Sequence, residues 1–233
     1  MGLDAYYQQL REYYDGAKYR YDYESLRKQI HDEPASGFGI AQPMFDSARQ
    51  LLAGRNVIDL GCGIGKWCRA LAPVANMTGV DFSPHFIEIA RDGTRATNVT
   101  YVADDVLTLA NLQGTFDGAI HFNVFNHVPW ADWSRFIRTL HSKLRPGLPV
   151  IMGAQRFDSA VMRCKELTWI DDVPDPVQHN VRDGRVYHVV ENTFDEALIR
   201  TVFENHAVEP HVELIPPPSS GKCGAWYATY RMP

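Results

Sequence analysis

Residues 57–67 read VIDLGCGIGKW, and this stretch decides the fold. A hydrophobic run leads into three alternate glycines, and helical periodicity begins after Gly65. A glycine turn lets backbone approach a ligand where any Cβ would clash. The stretch therefore predicts a strand, a ligand-binding turn and a helix, at the carboxyl end of a parallel strand where open α/β sheets bind their ligands.

The rest of the chain alternates short β-branched runs with longer segments of helical period, which is typical of a parallel sheet with helices on both faces. The predicted strands are residues 57–60, 77–81, 99–102, 118–122 and 150–154. The predicted helices are residues 65–72, 84–95, 131–144 and 194–205. Residues 208–214 and 225–231 read as two more strands, and their short connection favours an antiparallel pair. The expected fold is α/β: a Rossmann-like, seven-stranded, mostly parallel sheet with an antiparallel C-terminal strand pair.

Two regions lie outside this alternation. Residues 1–50 hold seven of the 11 tyrosines and predict an N-terminal helical cap or lid, which belongs to the same domain as residues 51–233. Residues 155–193 are an insertion that we expect on the substrate side, and within it residues 166–181 carry four acids and no Lys or Arg. Both regions are rich in aromatic residues, which favours burial over a linker role.

Composition excludes several classes of function. The 233 residues carry a formal charge of -5, so no basic surplus exists to neutralise nucleic acid or an anionic membrane. No apolar run reaches the roughly 20 residues of a membrane span, and the first residues do not resemble a signal peptide, so we expect a cytoplasmic protein. The four cysteines form no C-x-x-C pair and have no histidine at zinc-ligand spacing, so no metal site is predicted.

An acidic residue in the next predicted strand indicates the ligand. Asp81 ends that strand 20 positions after Gly61, the spacing at which a carboxylate accepts hydrogen bonds from ribose hydroxyls. Nicotinamide dinucleotides and S-adenosylmethionine both present such a ribose. Lys66 stands where a dinucleotide fingerprint has its third glycine, and Asp59 suits an ammonium and a sulfonium better than a pyrophosphate. S-adenosylmethionine is therefore favoured, and a nicotinamide-dependent dehydrogenase is the weaker alternative.

At these residues the chain resembles the class I S-adenosylmethionine-dependent methyltransferases that act on small molecules. VIDLGCGIG at 57–65 is similar to their first motif, and GVDFSP at 79–84 is similar to their second. The resemblance runs from about residue 55 to 155, and at 185–231 it is topological only. It implies S-adenosylmethionine as cofactor. The cofactor-binding residues that these two motifs imply are Asp59, Gly61, Gly63, Gly65, Asp81 and Phe82.

The resemblance implies further cofactor contacts after the third and fourth predicted strands. Asp104 matches the acid that binds the adenine amino group, and Asp105 is the second candidate, with a helix N-cap as the alternative role. Phe122 and Asn123 match positions beside the methionine part of the cofactor.

The N-terminal cap contains two Tyr-Asp pairs. They resemble the pairs with which many small-molecule members of the family close over the cofactor. Tyr21 is the first candidate and Tyr14 the second, and the alternative for either ring is plain packing.

Methyl transfer requires a positioned nucleophile and often a base that removes its proton. His127 is the leading candidate for the base, because it lies just past the fourth predicted strand and the resemblance implies that it faces the methyl group. The alternative is that His127 caps or packs its loop. His121 lies inside the predicted strand and reads as a buried residue.

The acceptor class follows partly from absences. The chain lacks the polar-Pro-Pro-aromatic run that is usual after the fourth strand in methyltransferases of nucleic acids. Asn123 and Gln155 do not supply the acids of a metal-dependent catechol site. A small-molecule amine or hydroxyl remains, while the acceptor's identity and the oligomeric state stay open. The alternative function is an S-adenosylmethionine-binding protein of the same fold that transfers no methyl: a cyclase, an aminopropyl transferase or a non-catalytic partner.

Overall fold

The computed structural model describes residues 1–15, 38–157, 166–182, 184–192, 196–206, 208–217 and 223–233. Its strands, in chain order, are β1 (Asn56–Leu60), β2 (Asn76–Asp81), β3 (Val99–Ala103), β4 (Gly118–Phe122), β5 (Pro149–Phe157), β6 (Glu166–Ile170), β7 (Val173–Arg182), β8 (Arg185–Val190), β9 (His211–Ile215) and β10 (Cys223–Arg231). Its α-helices are α1 (Leu3–Asp15), α2 (Gln42–Leu51), α3 (Lys66–Leu71), α4 (Pro84–Asp92), α5 (Trp133–Ser142) and α6 (Glu196–Glu204).

The main sheet has seven strands in the order β3-β2-β1-β4-β5-β10-β9. Strands β1 to β5 are parallel, while β10 pairs antiparallel with both β5 and β9. The chain order reverses at β1 and β4, which lie beside each other, and this is the place where open α/β sheets form a ligand crevice. The predicted Rossmann-like sheet with its antiparallel C-terminal pair is confirmed.

Helices cover both faces of the sheet, which explains why its central strands are apolar almost throughout. On one face α5 and α6 bury Phe136 and Phe203, and on the other α2 and α3 bury Met44 and Trp67. None of the helices in the described ranges has the length and apolar composition that crossing a membrane requires.

Helix ends follow local signals in the sequence. The Ser83 hydroxyl caps α4 by accepting a hydrogen bond from the Phe86 N–H at 3.3 Å, and Pro84 occupies the first turn, as predicted. The helix ends at Asp92, before Gly93, so the expected extension to residue 95 is wrong. Helix α5 begins two residues later than expected because residues 130–132 form a 3-10 turn.

The insertion folds as a second, three-stranded antiparallel sheet, β6-β7-β8, whose strands the sequence did not predict. Helix α1 packs against this sheet. Tyr6, Leu10 and Tyr13 of α1 form one buried cluster with side chains that include Val177 and Val189 of the sheet. We call α1 together with β6, β7 and β8 the lid unit. The assignment of cap and insertion to a single domain stays a prediction.

Candidate functional site

A cavity of about 630 Å³ opens at the carboxyl ends of the parallel strands. This volume is in the range of about 300–1,000 Å³ that is typical of small-molecule sites. The main sheet provides one wall through the turn after β1 and the ends of β2 and β4, and the lid unit provides the opposite wall. The cavity therefore lies in the crevice between β1 and β4, where the strand order reverses.

The glycine turn forms the floor of the cavity. Gly61, Gly63 and Gly65 all have left-handed φ angles, of 65°, 52° and 79°, which other residues adopt only with strain. Gly61 and Gly63 line the cavity, whereas Gly65 does not. A Cβ at Gly61 would collide with Val124, and one at Gly65 with Tyr101. Gly61 and Gly65 are thus required for packing, and Gly63 has open space where a Cβ would stand.

Asp81 lies at the end of β2 with its carboxylate on the cavity wall. One carboxylate oxygen accepts a hydrogen bond from the Gly63 N–H at 2.9 Å, and the other accepts one from the Ser83 N–H at 3.0 Å. Phe82 follows on the same wall, and its ring meets that of Tyr14 edge-on at 5.9 Å. The carboxylate is therefore held in place by two backbone donors.

Two predicted acids do not line the cavity. Asp59 is buried and accepts a hydrogen bond from the Cys68 thiol at 3.2 Å, and burial raises its pKa to about 7. Asp104 accepts hydrogen bonds from the backbone N–H groups of Asn111 and Leu112, which shape its own loop. Both carboxylates are turned toward protein donors, and their contact with the ligand stays a prediction.

Asp105, the second candidate for the adenine contact, does line the cavity. Its carboxylate pairs with Arg11 of α1 at 2.6 Å, with half of the arginine side chain exposed. The pair joins the lid unit to the loop after β3 across one side of the cavity.

Phe122 and Asn123 line the cavity at the end of β4, where the resemblance places them. Asn123 has a left-handed φ of 59°, a conformation that asparagine tolerates better than most residues. Its side-chain oxygen accepts a hydrogen bond from the Gln155 N–H at 2.7 Å, and its own N–H donates to the Gly153 oxygen at 3.0 Å. Asn123 thus turns the chain sharply out of the sheet toward His127.

The His127 ring lines the cavity on the side of the lid unit. Its Nδ1 lies 2.8 Å from the Val190 carbonyl oxygen, which can only accept, so Nδ1 carries a proton in this contact. Nε2 is therefore the proton-accepting nitrogen of the neutral ring, and the Asn126 amide nitrogen lies 3.4 Å from it as a donor. Tyr14 of the lid unit also lines the cavity, with its ring 6.2 Å from that of His127. Tyr21 lies outside the described residues.

His121 occupies the interior of β4, as predicted. Its side chain is fully buried, and burial lowers its pKa to about 3. Neither ring nitrogen has a hydrogen-bond partner among the described residues. His121 is thus a neutral core residue and takes no part in the cavity.

Three residues beside His127 escaped the sequence analysis. Glu191 lines the cavity with one carboxylate oxygen 3.9 Å from Nδ1 of His127. The Asn126 amide donates to the other oxygen of Glu191 at 2.8 Å. The Tyr6 hydroxyl donates to the His127 carbonyl oxygen at 2.8 Å. No local motif marks these residues, because each contact joins segments far apart in sequence. In the described part of the chain, no three His, Cys, Asp or Glu side chains are grouped to hold a metal ion.

Comparison with known sequences identifies a family match in the part of the chain that contains β1 to β4. Residues 57–147 match the family model described as a methyltransferase domain. A ubiquinone biosynthesis O-methyltransferase of Xanthomonas campestris pv. campestris (strain B100) is 35% identical over 105 residues. The match covers 43% of this chain and 43% of that protein, so the chain spans less than half the length of the curated relatives it matches.

Comparison with solved structures extends over nearly the whole chain. The structure described as the DhpI-SAM-HEP complex has a TM-score of 0.69 at 22% identity and covers 97% of both chains. A 1,6-didemethyltoxoflavin-N1-methyltransferase of Burkholderia thailandensis, crystallised with 1,6-didemethyltoxoflavin and S-adenosylhomocysteine, has a TM-score of 0.65 at 20% identity. It covers 98% of this chain and 89% of its own. The family match falls on the strands that carry the glycine turn and Asp81, so residues 57–147 match a methyltransferase domain, and the fold of the chain is the one that these neighbours share.

Proposed function

We propose that the cavity binds S-adenosylmethionine and that the protein moves its methyl group to a hydroxyl or an amine of a small molecule. The residues that line the cavity fit this cofactor. Gly61 and Gly63 line the cavity, with open space where a Cβ of Gly63 would stand, and the Asp81 carboxylate lies beside them, where it would accept hydrogen bonds from ribose hydroxyls. Asp105, Phe122 and the other lining residues extend this wall. When bound, the cofactor supplies an electrophilic methyl group on a sulfonium centre.

The observation that carries the proposed reaction is the hydrogen bond between Nδ1 of His127 and the Val190 carbonyl. It leaves Nε2 as the accepting nitrogen of a cavity-lining ring, which is what a general base requires, and the substrate's proton would replace the contact of Nε2 with the Asn126 amide at 3.4 Å. The lid unit forms the opposite wall, and a nucleophile bound beneath it would have less contact with water. His127 would then take the acceptor's proton as the new bond forms.

A hydroxyl is the first candidate for the acceptor group. The curated relatives are described as ubiquinone biosynthesis O-methyltransferases, and a neutral hydroxyl needs the base that His127 offers. An amine is the second candidate, supported by the structural neighbour that is described as an N1-methyltransferase. The formal charge of -5 supports a small molecule over nucleic acid.

Calorimetry tests the cofactor. We expect S-adenosylmethionine and S-adenosylhomocysteine to bind and NAD to give no heat. Asp81→Asn removes the negative charge that ribose hydroxyls would contact, so affinity should fall about 10- to 100-fold, the loss of a charge-assisted hydrogen bond of about 1.5–3 kcal/mol. The exposed Asp172→Asn serves as the matched control and should bind normally. Equal affinity of the two variants would remove Asp81 from the cofactor site.

An assay of methyl transfer tests the reaction. The protein is incubated with S-adenosylmethionine and a panel of catechols, phenols, anilines and alkylamines, and S-adenosylhomocysteine and methylated products are measured. His127→Gln should lower turnover about 100-fold and keep cofactor affinity, while the exposed His211→Gln should behave as wild type. Tight cofactor binding without product from any acceptor would favour the alternative, a binding protein of the same fold.

A further inference from the structure

We propose that Glu191 is the positioning residue of the methyl-transfer site: held by Asn126, it supplies the negative charge that stabilises His127 when the ring accepts a proton. The inference rests on the proposed role of His127 as the base and adds to it the group that makes the base effective. Sequence patterns give no sign of this role, because Glu191 lies 64 positions after His127 and directly follows β8 of the three-stranded sheet.

The residues at the end of β8 contact the His127 side chain. Val190 and Glu191 are consecutive at the end of β8, and both reach His127. The Val190 carbonyl accepts the Nδ1 proton at 2.8 Å, and a Glu191 oxygen lies 3.9 Å from the same nitrogen. The other Glu191 oxygen accepts a hydrogen bond from the Asn126 amide at 2.8 Å, so the carboxylate cannot swing away freely.

The Glu191 carboxylate is buried, so its negative charge is poorly screened by solvent. The exposed fraction is 7% for Glu191 and 2% for Asn126. Within the described residues, the only group of opposite charge that lies in ion-pair range of Glu191 is His127 in its protonated form. A buried carboxylate without a cation is costly, and a charge that forms beside it relieves that cost. A proton that arrives on the ring therefore places a positive charge 3.9 Å from this carboxylate.

The proton and the electrons of the step balance with this assignment. The acceptor oxygen or nitrogen forms its bond to the methyl carbon, the carbon–sulfur electron pair leaves on sulfur, and the acceptor proton moves to Nε2 of His127. There it displaces the contact with the Asn126 amide at 3.4 Å, while that amide keeps its hydrogen bond to Glu191. The ring becomes an imidazolium, which keeps its Nδ1 hydrogen bond to Val190 and now faces the Glu191 carboxylate as an ion pair. Solvent later takes the proton and restores the neutral base.

Further contacts tie this arrangement to the docking of the lid unit. The Asn192 N–H donates to the Asn126 carbonyl oxygen at 2.8 Å, and the Asn192 amide donates to the Val128 oxygen at 2.9 Å. The Trp130 N–H donates to Asp175 of β7 at 3.0 Å. The loop that carries His127 is thus fastened to the inserted sheet on both sides of the ring. The base is complete only when this sheet is in place.

The pH dependence of the ring reflects every titratable group that faces it. Glu191 approaches from the end of β8, and Tyr6 and Tyr14 approach from α1. Asp81 and the Arg11–Asp105 pair lie on the cavity wall that the ring shares. Burial raises the pKa of Tyr6, so this phenol stays neutral throughout the useful range. Glu191 is the one charged group within 4 Å of the ring among the described residues.

The experiment compares Glu191→Gln, Glu191→Asp and, as a matched control, the exposed Glu204→Gln. Gln keeps the size and the acceptor for Asn126 but loses the charge, so turnover at pH 7.5 should fall about tenfold. The midpoint of the acidic limb of the pH–rate profile should move to lower pH by about one pH unit. Asp keeps the charge and should restore that midpoint. Cofactor affinity should stay within about twofold of wild type for all three variants, and thermal unfolding verifies folding.

A second measurement is independent of transfer. Long-range ¹H–¹⁵N spectra of the folded protein report the His127 tautomer and its titration, and we expect the neutral ring to carry its proton on Nδ1. An unchanged titration and pH–rate profile in Glu191→Gln overturns the inference, as does a neutral ring protonated on Nε2. If the wild type methylates no acceptor while the spectra show the expected tautomer and shift, the proposed function fails and the electrostatic role of Glu191 stands.

Discussion

Tyr6 joins the lid unit to the loop that carries His127, and Tyr6→Phe tests this connection. The Tyr6 side chain is completely buried. Its hydroxyl donates to the His127 carbonyl oxygen at 2.8 Å and accepts from the Val190 N–H at 3.2 Å. One oxygen atom therefore bridges α1, β8 and the loop after β4. Phenylalanine keeps the ring and its packing and removes only this bridge.

The expected loss of stability follows from the two backbone groups left without a partner. Each buried group that loses its hydrogen bond costs about 1–3 kcal/mol, and the lower half of this range suits geometry that can relax. Two such groups give a loss of about 2–4 kcal/mol in the free energy of unfolding. For a chain of this size, that corresponds to a fall in Tm of about 4–16 °C. Turnover should fall as well, because the His127 backbone loses a fixed point.

Equilibrium unfolding in urea, followed by circular dichroism, measures the difference. Tyr187→Phe is the control: this tyrosine is half-buried on β8, and its hydroxyl makes no hydrogen bond among the described residues. It should stay within about 0.5 kcal/mol of wild type. If Tyr6→Phe is also within about 0.5 kcal/mol, the bridge does not contribute in solution and the docking described for the lid unit is wrong.

Two further predictions concern the glycine turn and the buried acid behind it. Because burial raises the pKa of Asp59 from 3.8 to about 7, the folded state keeps a proton that the unfolded chain releases, and the free energy of unfolding falls as pH rises through this window. Asp59→Asn should therefore gain stability relative to wild type between pH 4 and pH 8, by on the order of 4 kcal/mol, in urea titrations at each pH. Gly61→Ala should weaken S-adenosylhomocysteine binding at least tenfold in calorimetry, since its Cβ would collide with Val124 and disturb the cavity floor.

Matched variants separate these effects from general damage. The exposed Asp172→Asn should show the wild-type pH dependence, and a gain for Asp59→Asn that does not change with pH would contradict the protonation argument. Gly54 also has a left-handed φ, of 73°, but a Cβ there would meet nothing within 4 Å. Gly54→Ala should thus lose about the 1–2 kcal/mol of backbone strain and bind normally. Equal binding by the two alanine variants would contradict the role of Gly61.

The sequence could predict those parts of the site that are formed by residues close together in the chain. A strand that ends in glycines, and a next parallel strand that ends in Asp81, must meet at one edge of the sheet. Alternation along a strand also explains the position of the Asp59 side chain. It lies within β1, two residues before Gly61, and its side chain points into the layer of α3, where Cys68 meets it.

The lid unit could not be predicted in this way, because its strands carry weak local signals and its contacts join distant parts of the chain. Strand β7 contains Pro174 and Pro176, which remove backbone donors and disguise a strand in sequence. The partners of His127 depend on how this sheet docks, and contacts such as that of Tyr6 with Val190 join residues 184 positions apart. A single sequence carries no local signal for such a pairing, so Glu191 and Asn126 emerge only from the folded structure.

Helix α1 also protects an edge strand from unwanted pairing. Strand β8 is the outer strand of the three-stranded sheet, and such strands offer open N–H and C=O groups to other chains. The Gln9 amide accepts from the His188 N–H at 2.9 Å and donates to the His188 oxygen at 3.1 Å, as a neighbouring strand would. The Tyr6 hydroxyl occupies the Val190 N–H in the same way. The side chains of α1 therefore take the place of a fourth strand, which limits the growth of the sheet and guards the protein against aggregation through this edge.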